Sequence, residues 1–153
     1  SFSRRQRQMC IRDSSKSIQH FCRPKVYPNF LKNLIKTRSN KKIKRIGCTD
    51  SSDGLFQALQ DLASASKCKA IINYEKIPKD KDWPRGNKWD EYYFFGGEDY
   101  ELVFSLPKKW AKNLTKLDKD INEIGFFTDG EPSIEFKDSK KNKLLEITPF
   151  KHF

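Results

Sequence analysis

An amphipathic stripe that begins at residue 55 constrains the fold of this chain more than any other feature. Apolar side chains recur there at helical spacing, with polar residues on the opposite face; the apolar ones are Leu55, Phe56, Leu59, Leu62 and Ala63. The spacing predicts an amphipathic helix of about 12 residues, which has to bury its apolar side. We expect serine or aspartate side chains just before the helix to cap its first turn.

Strand and helix signals alternate along the rest of the sequence. Further helices are predicted where apolar residues recur at helical spacing after Pro28 and after Pro107. Strands are predicted at four apolar stretches, residues 70–74, 100–106, 121–127 and 134–136. We expect the last of these to pair with residues 144–147 in a hairpin, and residues 79–90 to form a polar surface loop. The sequence therefore predicts an α/β (α+β) fold, with a mixed sheet packed against helices.

The chain carries a large excess of positive charge, with 31 lysines and arginines against 20 acidic residues and a net charge of +11. Such a balance favours polyanionic partners in principle. The lysines are scattered, however, and the one dense basic run, residues 41–45, has no interleaved aromatic residues of the kind that stack bases. The distribution favours a solvated surface over a nucleic-acid-binding module, and we expect no nucleic-acid partner.

The cysteines and the hydropathy pattern indicate a cytoplasmic protein. The four cysteines lie a dozen or more residues apart, without a C-x-x-C pair or clustered histidines, so neither a zinc site nor a redox dithiol is indicated. Free thiols suit a reducing cytosol. No apolar run approaches the roughly 18 to 20 residues that a membrane span needs, so we expect no membrane association.

Residues 1–14 differ in composition from the remainder of the chain. They contain four of the eight arginines and none of the lysines. We therefore expect residues 1–14 to be a non-native or disordered tail. Residues 15–153 are expected to form one domain, because a chain of 153 residues fits a single core.

Two aspartates three residues apart precede the predicted helix and are the first candidates for chemistry. In residues 49–54, Thr-Asp-Ser-Ser-Asp-Gly, the carboxylates of Asp50 and Asp53 can point toward one position. Mg²⁺ prefers oxygen ligands and often joins one or two carboxylates to substrate phosphates, which the N–H groups at a helix start also favour. Asp and Ser before an apolar helix are also ordinary capping residues, so the spacing leaves both interpretations open.

A glycine turn followed by acidic residues, Gly-Gly-Glu-Asp-Tyr-Glu at residues 96–101, is the second candidate. Glycines let the backbone approach a ligand closely, and a carboxylate there can receive a cationic or hydrogen-bonding group of a substrate. Two glycines followed by acidic residues also form common surface turns. This stretch alone therefore does not separate a binding site from a turn.

Taken together, the two stretches resemble a known family. Gly-x-x-Asp-x-Ser-Asp-Gly-Leu spans residues 47–55, Gly-Gly-Glu-Asp-Tyr-Glu-Leu spans residues 96–102, and an aromatic-x-His-Phe ending spans residues 150–153. In this order they resemble the C-terminal half of thiamine-monophosphate kinases, in the aminoimidazole ribonucleotide synthetase superfamily. The resemblance implies that superfamily's C-terminal-domain fold. It also implies ATP-dependent phosphorylation of thiamine monophosphate to thiamine diphosphate, with a selenophosphate or aminoimidazole ribonucleotide synthetase as the runner-up.

The resemblance further implies roles for individual residues. Asp50 and Asp53 would help to hold Mg²⁺ at the phosphates of the co-substrate ATP, and Ser52 would contact ATP. Glu98 would contact thiamine monophosphate. These roles come from the resemblance and not from the spacing of the residues.

An aromatic residue of the family packs on the substrate near the C-terminus. Counting back from the His-Phe ending places it at Ile147, which is not aromatic, and Phe150 is the alternative source of a ring. The family's N-terminal half, which carries further metal-binding aspartates and nucleotide contacts and forms a homodimer, has no counterpart in this sequence. Because phosphoryl transfer depends on positioning and on charge neutralisation by metals, we expect little or no catalysis from this chain alone.

Overall fold

The computed structural model describes residues 29–38, 46–79, 84, 86–97 and 100–146. In chain order the elements are α1 (Phe30–Thr37), β1 (Gly47–Asp50), α2 (Leu55–Ser66), β2 (Lys69–Ile72), α3 (Asn87–Phe95), β3 (Leu102–Ser105), α4 (Lys108–Leu117), β4 (Gly125–Thr128) and β5 (Ser133–Phe136). A 3₁₀ turn covers Tyr74–Lys76, and a longer 3₁₀ segment covers Ser139–Glu146. None of the helices in the described ranges has the length and apolarity that a bilayer span requires.

The strands form two sheets. β1 and β3 pair antiparallel as a two-stranded sheet, with Gly47 opposite Ser105 and Asp50 opposite Leu102. The second sheet has the order β4-β2-β5, in which β2 runs antiparallel to β4 and parallel to β5. Because α2 contacts strands of both sheets, it joins them into one structure. The predicted α/β fold with a mixed sheet and packed helices is confirmed.

The helix predicted at residue 55 is α2, and it has the predicted length of 12 residues. Its predicted apolar side is its buried side, with Leu59 and Leu62 at 3% and 5% exposure and Ala63 fully buried. The predicted side-chain cap is wrong. The N-cap is Gly54, with φ of 99°, which has no side chain to cap the first turn.

The main core forms where α2 and α3 meet the three-stranded sheet. Phe94 of α3 is fully buried, and its ring centroid lies 5.7 Å from that of Phe56 and 5.0 Å from that of Phe136. A separate cluster joins α1 to α4, where the indole nitrogen of Trp110 donates to the carbonyl oxygen of Leu34 at 2.9 Å. In both clusters aromatic side chains are removed from water, and this burial of apolar surface stabilises the fold.

The predicted C-terminal hairpin is wrong. β5 pairs with β2, and the residues after it turn into the 3₁₀ segment. Local side chains explain the turn, because Asp138 accepts from the backbone N–H of Lys140 at 3.1 Å and Asn142 accepts from that of Phe136 at 2.8 Å. Such side-chain contacts offer the backbone an alternative to a strand ladder.

Other boundaries also differ from the sequence prediction. The strand predicted at residues 121–127 begins only at Gly125. Part of the predicted 79–90 loop is helical, since α3 begins at Asn87 after Gly86, whose φ is 125°. The strand predicted at residues 100–106 is shorter and begins at Leu102. Tyr100 has φ of 52°, which is incompatible with a strand.

Burial at α3 leads to a stability prediction. Phe94→Ala should lower the free energy of unfolding by about 3 to 5 kcal/mol, because it removes a large buried side chain and leaves a cavity. Phe126→Ala is a matched control, since Phe126 is 59% exposed on β4, and its cost should stay near 0.5 kcal/mol. Denaturant titration of both variants measures the difference; equal losses would contradict this packing.

Candidate functional site

Residues 50–54, here called the aspartate loop, connect β1 to α2. Asp50 ends β1 on its exposed face, and its Oδ1 accepts from the backbone N–H of Ser52 at 3.0 Å. Hydrogen bonding from the side chain and then the backbone of Ser52 lowers the pKa of Asp50. Asp50 is therefore ionised at neutral pH and over a wider acidic range than an ordinary aspartate.

Ser51 fixes the aspartate loop to the residue that precedes β3. It is 4% exposed, its N–H donates to the carbonyl oxygen of Glu101 at 2.9 Å, and its Oγ accepts from the N–H of Glu101 at 3.1 Å. The carbonyl oxygen of Ser51 also accepts from the N–H of Gly54 at 2.9 Å, which closes a tight turn. Sequence reasoning missed Ser51, because nothing in the pattern distinguishes a buried loop serine from its exposed neighbours.

The carboxylates of the aspartate loop take no part in capping α2. Asp53 is exposed and precedes the N-cap Gly54, and Asp50 instead binds the N–H of Ser52. Within the described ranges, neither carboxylate forms an ion pair with a lysine or arginine. The capping interpretation of these two aspartates is therefore wrong.

The second candidate stretch contacts the first through glycines. A Cβ added to Gly97 would collide with the carbonyl oxygen of Ser52 and lie 3.2 Å from Cα of Asp53. A Cβ added to Gly54 would lie 2.8 Å from the carbonyl oxygen of Phe95. Gly96 and Gly97, here called the diglycine segment, thus pack backbone to backbone on the aspartate loop. The structure brings the two sequence motifs into direct contact.

The diglycine segment reaches this position because α3 is anchored on α2. The ring of Phe95, at the end of α3, lies 5.0 Å from the ring of Phe56, and Gly96 donates its N–H to the carbonyl oxygen of Tyr92 at 2.8 Å. Glu98 follows directly but lies outside the described residues, as do Ile147 and Phe150. In the described ranges, no group of three or more His, Cys, Asp or Glu side chains is arranged to hold a metal ion.

The domain that carries this site has known relatives. Residues 28–137 match the family described as AIR synthase related protein, C-terminal domain. The chain belongs to this family. The match includes both the aspartate loop and the diglycine segment, so the candidate site lies within the domain that defines the AIR synthase related family. The superfamily predicted from the sequence motifs is confirmed.

Individual relatives are similar over most of the chain. It is 35% identical over 123 residues to the thiamine-monophosphate kinase of Prochlorococcus marinus, covering 80% of the chain and 37% of that protein. It is 34% identical over 142 residues to the thiamine-monophosphate kinase of Aquifex aeolicus, covering 89% of the chain and 41% of that protein. The predicted resemblance to these kinases is confirmed. The chain spans about two fifths of their length.

A solved structure has the same architecture. The structure of AaThiL complexed with AMPPCP and TMP superposes on 84% of the chain and 42% of its own length, with a TM-score of 0.60 and 26% sequence identity. The fold of this AIR synthase related domain is therefore shared with a protein of known structure.

The glycine packing leads to a prediction for Gly97→Ala. The added methyl group should push the diglycine segment away from the aspartate loop, cost about 1 to 3 kcal/mol of stability and shift the amide NMR signals of Ser52 and Asp53. Gly86→Ala is the control. Its Cβ meets nothing within 4 Å, although its φ of 125° carries its own strain. Unchanged aspartate-loop signals in Gly97→Ala would contradict the contact.

Proposed function

We propose that this chain forms the C-terminal part of a thiamine-monophosphate kinase, which transfers a phosphoryl group from ATP to thiamine monophosphate and yields thiamine diphosphate. The backbone contact between the diglycine segment and the aspartate loop carries the proposal. It brings a pair of exposed carboxylates beside a turn that leads to another acidic run, and such carboxylates suit the metal cations that accompany phosphorylated substrates. The similarity to the Prochlorococcus marinus and Aquifex aeolicus kinases supports it.

The proposed co-substrate is ATP, with Ser52 as one of its contacts. The AaThiL complex contains AMPPCP, an ATP analogue, together with TMP, which supports a site for both a nucleotide and a phosphorylated acceptor. Ser52 is half-buried, and its N–H is already held by Asp50, so its position in the aspartate loop is fixed before a ligand arrives. A fixed position lowers the entropy cost of binding.

Mg²⁺ is the proposed metal, held in part by Asp50 and Asp53. The donor chemistry fits, because Mg²⁺ prefers carboxylate oxygens, and neither carboxylate is used for helix capping or by a described cation. The lowered pKa of Asp50 keeps it ionised, as a ligand must be. When bound, Mg²⁺ neutralises negative charge on the phosphates. With two carboxylates on this chain, the remaining ligands would come from ATP, water or another part of the enzyme.

The proposed acceptor side is formed by Glu98, with Ile147 or Phe150 near the C-terminus. Glu98 directly follows the diglycine segment, whose lack of side chains allows close approach of backbone to backbone. A carboxylate at that point suits a substrate that carries a cationic thiazolium ring. An aromatic ring at Phe150 would suit the same cation, whereas Ile147 offers apolar contact alone.

The rest of the proposal concerns the complete enzyme. Further metal ligands and nucleotide contacts would come from an N-terminal part, which would also form a homodimer, and residues 15–153 would be the C-terminal domain. A cytoplasmic location suits the thiols of Cys48 and Cys68, both of which are free.

The decisive assay is ATP-dependent formation of thiamine diphosphate by the full-length enzyme. Turnover confined to another acceptor would refute the proposal.

Replacing Asp53 by asparagine tests the metal role. Asp53→Asn in the full-length enzyme should keep the fold but raise the Mg²⁺ concentration needed for half-maximal activity by about tenfold or more, because one anionic ligand is lost. Asp61→Asn is the matched control, since Asp61 is also exposed but lies along α2, where it accepts from Gln57 at 2.8 Å. Identical Mg²⁺ dependence in the two variants would rule out the assignment.

Replacing Glu98 by alanine tests the acceptor role. Glu98→Ala should raise KM for thiamine monophosphate more than KM for ATP, because the interaction it removes is present in both the ground state and the transition state. Steady-state kinetics with each substrate varied in turn measures the two constants. If only KM for ATP rises, the diglycine turn belongs to the nucleotide side and the assignment of Glu98 is wrong.

A further inference from the structure

An ion pair away from the aspartate loop joins α3 to the 3₁₀ segment. The ammonium group of Lys141 donates to Oδ2 of Asp90 at 2.7 Å. Asp90 lies in the first turn of α3, and Lys141 lies in the 3₁₀ segment, 51 positions later in the sequence. The side chains are only 13% and 27% exposed. Water screens a partly buried ion pair less than a surface pair. This ion pair therefore holds α3 and the 3₁₀ segment in a defined relative position.

The buried ring of Tyr74 supports this ion pair from one side. Tyr74 is 2% exposed, and the ammonium groups of Lys79 and Lys141 lie 3.7 Å and 4.5 Å from its ring centroid. The Tyr74 hydroxyl has no hydrogen bond of standard geometry in the described part of the chain, yet it lies close enough to Asp90 to interact with it electrostatically. Burial and then this neighbouring carboxylate raise the pKa of Tyr74, so the phenol stays neutral.

Asp90 stays ionised in this partly buried position. Burial raises the pKa of Asp90, but the hydrogen bond from Lys141, the nearby Tyr74 hydroxyl and the charges of Lys141 and Lys79 outweigh burial, so the pKa is lowered overall. The ionised carboxylate of Asp90 attracts the ammonium groups of Lys141 and Lys79, which favours one arrangement of these side chains over others. The cluster is therefore a fixed connection between α3, the 3₁₀ turn at residue 74 and the 3₁₀ segment.

Both segments that this connection joins lead into the candidate site. α3 ends at Phe95 and continues into the diglycine segment, which packs on Ser52 and Asp53. The 3₁₀ segment ends at Glu146, immediately before the residues assigned to the acceptor. We propose that Asp90 and Lys141 are positioning residues, whose ion pair holds α3, and with it the diglycine segment, in place against the 3₁₀ segment. The acceptor part of this inference rests on the proposed function.

A second ion pair in the structure provides a matched comparison. Lys69 donates to Oε1 of Glu135 at 2.6 Å, with side chains 30% and 46% exposed. It joins β2 to β5, which backbone pairing already holds in register, with Lys69 opposite Ser133. A more exposed pair between strands that are already paired adds little, whereas α3 and the 3₁₀ segment have no such backbone ladder between them. Removing Lys69 should therefore leave the site unchanged.

Steady-state kinetics of the full-length enzyme test whether loss of the ion pair weakens the use of thiamine monophosphate. Lys141→Met should raise KM for thiamine monophosphate by about tenfold, with a smaller change in KM for ATP, because the diglycine segment, which leads directly to the proposed acceptor residue Glu98, loses its fixed position. Lys141→Arg should restore most of the wild-type value, since it keeps the charge and the donor. Lys69→Met should behave as wild type. Equal effects of Lys141→Met on both constants, or no rescue by arginine, would overturn the positioning role.

Hydrogen exchange of the 153-residue chain tests the connection without any assay of activity. Lys141→Met should speed amide exchange in the diglycine segment and the aspartate loop by about tenfold, and Lys69→Met should not. Asp90→Asn provides a second variant that removes the same ion pair with little change in size. Unchanged exchange in both ion-pair variants would refute the connection. If wild-type enzyme fails to phosphorylate thiamine monophosphate, the proposed function fails, and exchange still decides whether the ion pair positions the site.

Discussion

Backbone contact between the diglycine segment and the aspartate loop is the constraint on which the site depends. Two backbones can approach this closely only where no side chain lies between them. Gly54 meets this condition in the aspartate loop, and Gly97 meets it in the diglycine segment. The contact in turn requires α3 to lie on α2, which the burial of Phe94 secures. Aromatic burial in the core thus contributes to the position of polar groups at the surface.

The parts of the fold that the sequence could predict are those set by periodicity. The position, length and buried side of α2 were predicted, though not its cap, because its apolar side is regular and its burial follows that pattern. The partner of β5 was not predictable, since a short apolar strand carries no information about which strand lies beside it. α3 was not predicted, because its first residues are polar and charged and resemble a loop in composition.

For the candidate site, the sequence could indicate candidate residues but not the contacts that hold them in place. Motif resemblance indicated Asp50, Ser52 and Asp53, whereas the anchoring bonds of Ser51 appear only when Glu101 lies beside it in three dimensions. The same holds for Asp90 and Lys141, which are far apart in the sequence and have no pattern in common. Residues that position a site act through tertiary contacts, so short-range spacing does not reveal them.

The parallel pairing of β2 with β5 also has a consequence for how the chain folds. Lys69 lies opposite Ser133, so α3, β3, α4 and β4 all intervene before the central strand gains its second neighbour. During synthesis, one edge of β2 therefore lacks its partner until residue 136 has emerged, and unpaired edges favour association with other chains. Pairing between such distant segments also slows folding. The nascent chain should depend on chaperones for longer than a local hairpin at this position would require.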